Sequence, residues 1–268
     1  MSIQNSDNFE QSGDYIQSLD RGLKVIQAFS QETPSLTISD AAKITGLSRP
    51  TARRMLLTLE YLGFVESNNG SFSLTARILT LGYAYISSKN IWNIAQPIMR
   101  EFVAKTGESC SISILDGTDI LYVARVHTKR IMTINLEVGS RLPAYATSMG
   151  HVLLAFLPKA ELEDYLNKVS FKRFTNNTIT DKEQLKKVLA TVQENGWGGV
   201  DQQFEEGLRS IAVPIQNGEG KVIAAINCSA HAGRISENTV REEFLPLLFE
   251  TAEKISRTIS AAYNSAQY

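Results

Sequence analysis

Five residues with the chemistry of DNA contact occur between positions 48 and 54: Ser48, Arg49, Thr51, Arg53 and Arg54. Arginine side chains pair with guanine edges or bind phosphates, and short hydroxyl side chains reach phosphates or bases. Apolar residues recur among them at helical spacing, which predicts a helix with one packed face and one free basic face. On this segment alone, an ordinary amphipathic helix with a solvated basic face is the alternative.

A second, shorter helix is predicted immediately before the basic one. Thr37 is placed to cap it, and Ala41, Ala42 and Ile44 supply its buried side. Gly46 suits the tight turn that follows, because a side chain would resist that conformation. Ser48 then caps the basic helix, and Pro50 lies in its first turn, where a missing backbone N–H costs nothing. The pair has the form of a helix-turn-helix.

Two short strand-like runs follow, at residues 64–66 and 71–74, separated by the turn signal Ser67-Asn68-Asn69-Gly70. Upstream, a further helix is predicted from the apolar positions Leu19, Leu23, Val25, Ile26 and Phe29. Three helices and a hairpin give a domain of about 60 residues enough apolar surface for a core. The sequence therefore predicts a winged helix-turn-helix, and this order makes DNA binding the preferred interpretation of the basic helix.

The composition describes a soluble globular protein with room for two domains: 268 residues, 43% hydrophobic, 21% charged, with a net charge of -1. Any attraction to DNA must be local, and residues 17–80 hold seven Lys or Arg against five acids. No apolar run approaches the roughly 20 residues of a membrane span, and the polar start is unlike a signal peptide. We expect a cytoplasmic protein with no membrane partner.

Metal and cofactor sites are not expected. Cys110 and Cys228 lie far apart in apolar, strand-like contexts, which favours buried reduced thiols over a disulfide or a metal pair. His127, His151 and His231 share no ligand spacing, and no glycine-rich phosphate loop is present.

The rest of the chain predicts an α+β domain with an antiparallel sheet. Strands are expected at 109–115, 120–126, 131–138, 210–216 and 221–230, and helices at 90–106, 148–157, 159–167, 181–195 and up to about 265, the last kinked or restarted at Pro246. Ile78, Leu81, Tyr85 and Ile86 predict a connecting helix. The expected domains are a flexible tail (1–16), a DNA-binding domain (17–75), a linker helix (76–89) and a second domain (90–268).

A small, polar stretch precedes an almost wholly apolar helix after Pro143. The backbone N–H groups at about Ser148, Met149 and Gly150 would open that helix, and together with the helix dipole they suit a small carboxylate. The alternative, left open here, is that Thr147 caps the helix and nothing else binds.

Polar residues also interrupt two apolar strands. Asn227 and Ser229 alternate with apolar neighbours, and Ser210 begins the adjacent strand, so the three side chains are expected to face one space. Arg125 and Arg130 flank an earlier hairpin connection. Either would neutralise an acid, although surface arginines at strand ends are more common.

Together these segments closely resemble the IclR family of bacterial transcriptional regulators, over about residues 18–262. The resemblance rests on the winged helix, the linker helix, SRLPAYATSMGHVLLA and EEGLRSIAVPIQNGEGKVIAAINCS. Within the family, KRIMTINLEVGSRLPAYATSMG is similar to the PcaU and PcaR subgroup, which controls protocatechuate catabolism through the β-ketoadipate pathway. The resemblance implies a GAF-like effector-binding domain that binds a small organic acid, in a homodimer or dimer of dimers on operator DNA.

The family's ligand positions fall on residues already singled out. The implied and predicted effector-binding residues are Arg125, Tyr145, Thr147, Ser148, Met149, Ser210, Asn227 and Ser229. The chain departs from many members, which have Cys at Ser210, Lys or Arg at His151, and an acid at Val200. An acidic ligand contact at Val200 is therefore not expected.

These observations predict a regulator of aromatic-acid catabolism, with protocatechuate as the preferred effector and β-ketoadipate, 4-hydroxybenzoate or another small organic acid as alternatives. RNA polymerase is a further partner if the protein is an activator. No nucleophile or metal-protease motif supports an enzyme. A winged helix fused to an enzyme, or a DNA-binding scaffold without a ligand, are the rival classes.

Overall fold

The computed structural model describes residues 9–30, 32–82, 91–128 and 136–265. The chain divides into two compact units, Met1–Lys89 and Asn90–Tyr268. Within the described residues, no helix combines the length and the hydropathy that crossing a membrane requires.

The first unit is a winged helix-turn-helix. A short 3-10 turn at Phe9–Gln11 is followed by α1 (Gln17–Gln27), β1 (Ser35–Thr37), α2 (Ile38–Thr45), α3 (Arg49–Tyr61), β2 (Val65–Asn68) and β3 (Ser71–Leu74). The strands form an antiparallel sheet in the order β1-β3-β2. Strand β1 was not predicted, and it adds a third strand to the expected hairpin.

The predicted turn between α2 and α3 is confirmed in its details. Thr37 accepts a hydrogen bond from the backbone N–H of Asp40, and the Asp40 carboxylate accepts one from the Thr37 N–H, which completes a capping box. Gly46 ends α2 with a φ of 69°. Ser48 caps α3, and Pro50 lies in its first turn.

The core of this unit differs from the prediction on two helices. Val25 of α1 is fully buried, whereas Leu19 and Leu23 are 59% and 47% exposed. On α2, Ala41 and Ala42 are buried as predicted, whereas Ile44, expected on the same side, is 51% exposed. Apolar spacing identified the helices and part of each buried face, but it also included apolar residues that stay exposed.

The wing also differs from the prediction in where its first strand begins and in the length of its turn. Strand β2 begins at Val65 and runs through Asn68, and the turn is confined to Asn69 and Gly70, with φ values of 50° and 81°. Two successive residues of positive φ match the twist of a tight hairpin, which explains the Asn-Gly pair.

The described part of the connecting segment consists of a 3-10 turn at Ala76–Ile78 and helical backbone at residues 79–82. Leu81 is 51% exposed within the chain. Tyr85 and Ile86, predicted to continue the stripe, lie outside the described residues.

The second unit is an antiparallel six-stranded sheet with helices on both faces. The described helices are α4 (Ile91–Thr106), α5 (Ser148–Ala155), α6 (Lys159–Lys168), α7 (Lys182–Asn195), α8 (Glu237–Thr239) and α9 (Leu245–Ser265). The strands are β4 (Ser109–Asp116), β5 (Asp119–Val126), β6 (Arg141–Pro143), β7 (Gly198–Asp201), β8 (Leu208–Gln216) and β9 (Val222–His231), in the order β6-β5-β4-β9-β8-β7. The predicted α+β class is confirmed.

Side chains along the central strands alternate between the two faces of the sheet, and each face packs into its own hydrophobic core. On β4, Cys110 and Ile112 face α4 and α9, where they pack with Phe102 and Leu248. The opposite face of the sheet is covered by α5 and α7, with Val152 in the second core. Successive strand residues point to opposite faces, so the intervening serines of β4 belong to the α5 side.

Three further differences concern strands and the last helix. Residues 131–135 of the predicted strand 131–138 lie outside the described residues, and 136–138 are not a strand. Strands β6 and β7 were not predicted. The expected irregularity at Pro246 is confirmed, because a π-helical turn at Val240–Phe244 gives way to α9 just before this proline, which has no N–H to donate.

Candidate functional site

The outer face of α3 carries the predicted DNA-contacting residues. Ser48, Arg49, Arg53 and Arg54 are exposed and Thr51 is half-buried. The Ser48 hydroxyl accepts from the Thr51 N–H, so it serves the helix cap, and the Arg49 guanidinium donates to the Ser39 hydroxyl at 2.6 Å. Arg53 and Arg54 form no ion pair with any residue that the structure describes. Their guanidinium groups are available to an external anion.

A cavity of about 310 Å³ lies in the second unit between the sheet and the start of α5. Seven of the eight predicted effector-binding residues line it: Arg125, Thr147, Ser148, Met149, Ser210, Asn227 and Ser229. Apolar side chains close the cavity, among them Tyr122, Leu136, Leu142, Val200, Phe204 and Leu208. The volume and the mixed walls fit a small ring compound with polar substituents.

The strand register explains why these polar residues meet. Ser111 on β4 lies directly opposite Asn227 on β9 and opposite Arg125 on β5. Ser229 of β9 lies opposite Ser210 of β8. Directly opposed residues of antiparallel strands point to the same face, so the five side chains form two adjacent polar rows.

A chain of hydrogen bonds orients the first row, which consists of Arg125, Ser111 and Asn227. Arg125 donates through Nη1 to the Ser111 hydroxyl at 2.9 Å, and the Ser111 backbone N–H donates to Asn227 Oδ1 at 3.1 Å. Asn227 Nδ2 in turn donates to the Ser229 hydroxyl at 3.0 Å. The Asn227 amide is thereby fixed with its second N–H still free to donate, and the Ser229 hydroxyl keeps its own proton for a further acceptor.

The start of α5 supplies backbone donors to the same cavity. Thr147 accepts from the Gly150 N–H at 3.1 Å, so the cap uses the third of the three donors expected there. The N–H groups of Ser148 and Met149 belong to the first turn, where a helix offers them no acceptor of its own. Ser148 also shares a hydrogen bond of 2.8 Å with Ser210, which places the helix start against the second polar row.

Tyr145, the eighth predicted residue, is not among the residues that line the cavity. Its ring is buried against Phe171, and its hydroxyl donates to the Lys172 carbonyl at 2.8 Å and accepts from the Lys172 N–H at 2.7 Å. His151 holds the same turn from the other side, with Nε2 2.7 Å from the Tyr145 carbonyl oxygen. Burial lowers the pKa of His151 to about 4, so the ring is neutral and donates this bond. Tyr145 therefore anchors the segment that precedes α5.

Charged groups also reach the cavity. Burial lowers the pKa of Arg125, while nearby Glu137 acts in the opposite direction. Glu108 is buried and forms a two-point ion pair with Arg234, at 2.5 and 2.7 Å. Glu205 and Glu206 lie on the segment between β7 and β8. Arg130, the other arginine considered, lies outside the described residues.

Sequence reasoning missed several of these groups. The serine alternation of β4 was a usable signal for Ser111, because a polar residue at every second position of an apolar strand marks a polar face. No sequence signal pointed to Glu108, Arg234 or Glu205, which reach the cavity from strand ends and a connecting segment. Within the described ranges, no group of three His, Cys, Asp or Glu side chains is arranged to hold a metal ion.

Comparison with known proteins agrees with this architecture. The model of the IclR helix-turn-helix domain matches residues 18–69, and that of the bacterial transcriptional regulator IclR C-terminal domain matches residues 83–257. The chain is 42% identical over 243 residues to the Pca regulon regulatory protein of Pseudomonas putida, covering 90% of this chain and 84% of that protein.

Solved structures are similar over almost the same length. A transcriptional regulator from Rhodococcus sp. RHA1 has a TM-score of 0.80 and 47% identity, covering 92% of this chain and 100% of that one. An IclR homolog from Microbacterium hydrocarbonoxydans, complexed with 4-hydroxybenzoate, has a TM-score of 0.77 and 27% identity, covering 91% and 99%. The chain therefore belongs to the IclR family of bacterial transcriptional regulators, which are ligand-responsive DNA-binding proteins and not enzymes.

Proposed function

We propose that this protein controls genes of aromatic-acid catabolism and that its effector is protocatechuate. The observation that carries the proposal is that one cavity is lined both by the start of α5, with the N–H groups of Ser148 and Met149, and by Asn227 and Ser229. Protocatechuate carries one carboxylate and two adjacent hydroxyls on opposite sides of an apolar ring. The cavity offers a matching group to each part.

The bound orientation follows from the donors. The carboxylate meets the Ser148 and Met149 N–H groups at the positive end of the helix dipole. The ring lies between apolar walls that include Tyr122 and Leu142, and the hydroxyls meet Asn227 and Ser229. Support comes from the similarity to a Pca regulon regulator and from the IclR homolog complexed with 4-hydroxybenzoate.

β-Ketoadipate is the second candidate, because Arg125 also lines the cavity. A dicarboxylate needs a cationic partner for its second anionic group, and a guanidinium suits a carboxylate. We place it second because Arg125 already donates to Ser111 and is half-buried.

Calorimetric titration of the purified protein tests the carboxylate assignment. Protocatechuate is expected to bind, and its methyl ester is expected to bind about tenfold to a hundredfold more weakly, because hydrogen bonds to a charged group contribute about 1.5–3 kcal/mol. β-Ketoadipate serves as the comparison compound. Equal affinity for acid and ester would show that the start of α5 does not bind the carboxylate, and tighter binding of β-ketoadipate would reverse the order of the candidates.

We further propose that residues 17–75 bind operator DNA through α3, with Arg53 and Arg54 as the principal contacts, and that residues 90–268 bind the effector. The effector alters transcription only if it binds one arrangement of the DNA-binding domains more tightly than the other. Activation and repression use the same contacts, and an activator has RNA polymerase as a further partner.

Self-association is expected from the apolar surface of the first unit. Leu19 and Leu23 on α1, together with Leu81, are exposed within the described chain. Exposed apolar side chains that join into one patch mark an interaction site, and we propose that a second copy of the chain covers these leucines. The protein is expected to sediment as a dimer or larger, and Leu19→Asp with Leu23→Asp should shift it towards monomer. A wild-type protein that is strictly monomeric at micromolar concentration would contradict the assembly.

A further inference from the structure

Carboxylate side chains line one side of the cavity. Glu108 is engaged with Arg234, but the Glu205 side chain forms no hydrogen bond or ion pair with any residue that the structure describes. Burial raises the pKa of Glu205 above its ordinary value. A half-buried acceptor without a partner therefore faces a cavity that is proposed to receive an acid.

Contacts with the end of β9 hold the segment that carries Glu205 in place. Leu208 lies opposite His231 in the register, and the Ala232 N–H donates to the Gly207 carbonyl at 2.8 Å. The segment that carries Glu205 is thereby held beside the end of β9, two residues beyond Ser229. Phe204, which also lines the cavity, packs on Phe174 at 4.9 Å between ring centroids and helps to hold the segment in place.

Glu205 adds a charged acceptor to a cavity whose polar row offers mainly donors. A ring hydroxyl brings a proton as well as lone pairs. Asn227 and Ser229 each keep a free donor, but their oxygens already accept from Ser111 and from Asn227. Each of these oxygens keeps one further lone pair, but an ionised carboxylate is a stronger acceptor for the proton of a ligand hydroxyl.

The charged side chains that line the cavity also favour ligands with a single carboxylate. The described lining residues include two arginines and three glutamates, which gives a net charge of -1 with His231 neutral. The N–H groups at the start of α5 bind one ligand carboxylate in the proposed orientation. A second carboxylate near Ser229 would meet Glu205 and Glu206, and like charges in a partly desolvated site repel each other.

We infer that Glu205 is a specificity-determining residue, whose carboxylate accepts hydrogen bonds from the ring hydroxyls of the effector and excludes ligands with a second carboxylate at that end. This inference rests on the proposed function and narrows it to aromatic acids with one carboxylate and hydroxyl groups opposite it. Glu206, which is more exposed, contributes charge at the mouth of the cavity.

The test compares protocatechuate with isophthalate, which carries a second carboxylate on the same ring, by calorimetry on the full chain. The wild type is expected to bind protocatechuate at least about tenfold more tightly. Glu205→Gln should lower the affinity for protocatechuate by about tenfold and raise the affinity for isophthalate, because the side chain at position 205 loses its negative charge. Glu219→Gln is the matched control, since Glu219 is exposed in the turn at the other end of β8 and β9.

Each outcome bears on a separate claim. A preference for protocatechuate that collapses in Glu205→Gln and persists in Glu219→Gln supports the inference. An unchanged preference in a Glu205→Gln protein with wild-type thermal unfolding overturns it. Equal affinity of the wild type for the two compounds overturns it without any variant, whereas a wild type that binds no aromatic acid overturns the proposed function as well.

Discussion

Gly150→Ala is expected to destabilise the effector-binding domain by about 3 kcal/mol, at the upper end of the cost of overpacking a core. Gly150 lies in the first turn of α5, and a Cβ there would stand 2.0 Å from the Ala144 carbonyl oxygen and 2.5 Å from the Ala144 Cα. These are backbone atoms of the turn that His151 and Tyr145 hold in place, so they cannot move aside as a flexible side chain would.

Urea unfolding followed by circular dichroism measures this cost. Gly218→Ala is the matched control, because its Cβ would make only ordinary contacts, at 3.6 Å from Ser260. It is expected to be neutral or slightly stabilising, since alanine restricts the unfolded chain. A Gly150→Ala protein as stable as Gly218→Ala would show that α5 does not pack on Ala144 as described.

Arg53→Ala and Arg54→Ala are expected to weaken operator binding by about 1–3 kcal/mol each if the arginine contacts a base. Both guanidinium groups lie on the exposed face of α3. An arginine that holds phosphate instead should weaken binding evenly across DNA sequences and reduce the salt dependence by about one counterion.

Fluorescence anisotropy at several salt concentrations separates these cases. Arg100→Ala removes an exposed arginine from α4 in the other unit and should leave operator affinity unchanged. Effector affinity should persist in all three variants, which checks that they remain folded. If both α3 variants bind the operator as the wild type does, α3 is not the helix that enters the groove.

The first unit was largely predictable from sequence, because its caps and turn depend on local residue chemistry. Prediction was less accurate where tertiary packing determines which side chains are buried. Thr37, Gly46 and Ser48 specify their caps and turn through their own side chains or φ preference, so the helix-turn-helix was correctly predicted. Ala41 and Ala42 were correctly placed on the buried side of α2, but Ile44 was not, because helical spacing does not fix how far a buried face extends around the helix.

The same limit applies to the candidate site. Ser210, Asn227 and Ser229 were recognised because polar residues stand out in apolar strands, and the register then places them together. Strand β7, with the sequence Gly-Gly-Val-Asp, lacks the β-branched run that predicts a strand. Glu205 reaches the cavity only because the end of β9 holds its segment there, and that contact leaves no local pattern.

The alternation along β4 and β9 has a consequence for how this sensor can be re-engineered. Ser109, Ser111 and Ser113 belong to the cavity side of β4, while Cys110 and Ile112 between them are buried against helices. The three serines are not among the residues that line the cavity, but Ser111 is hydrogen-bonded to Arg125 and Ser113 to Met149, which do line it. A library that randomises Ser111 and Ser113 should therefore change the cavity wall indirectly, through Arg125 and Met149, while Cys110 and Ile112 keep the packed face of the strand.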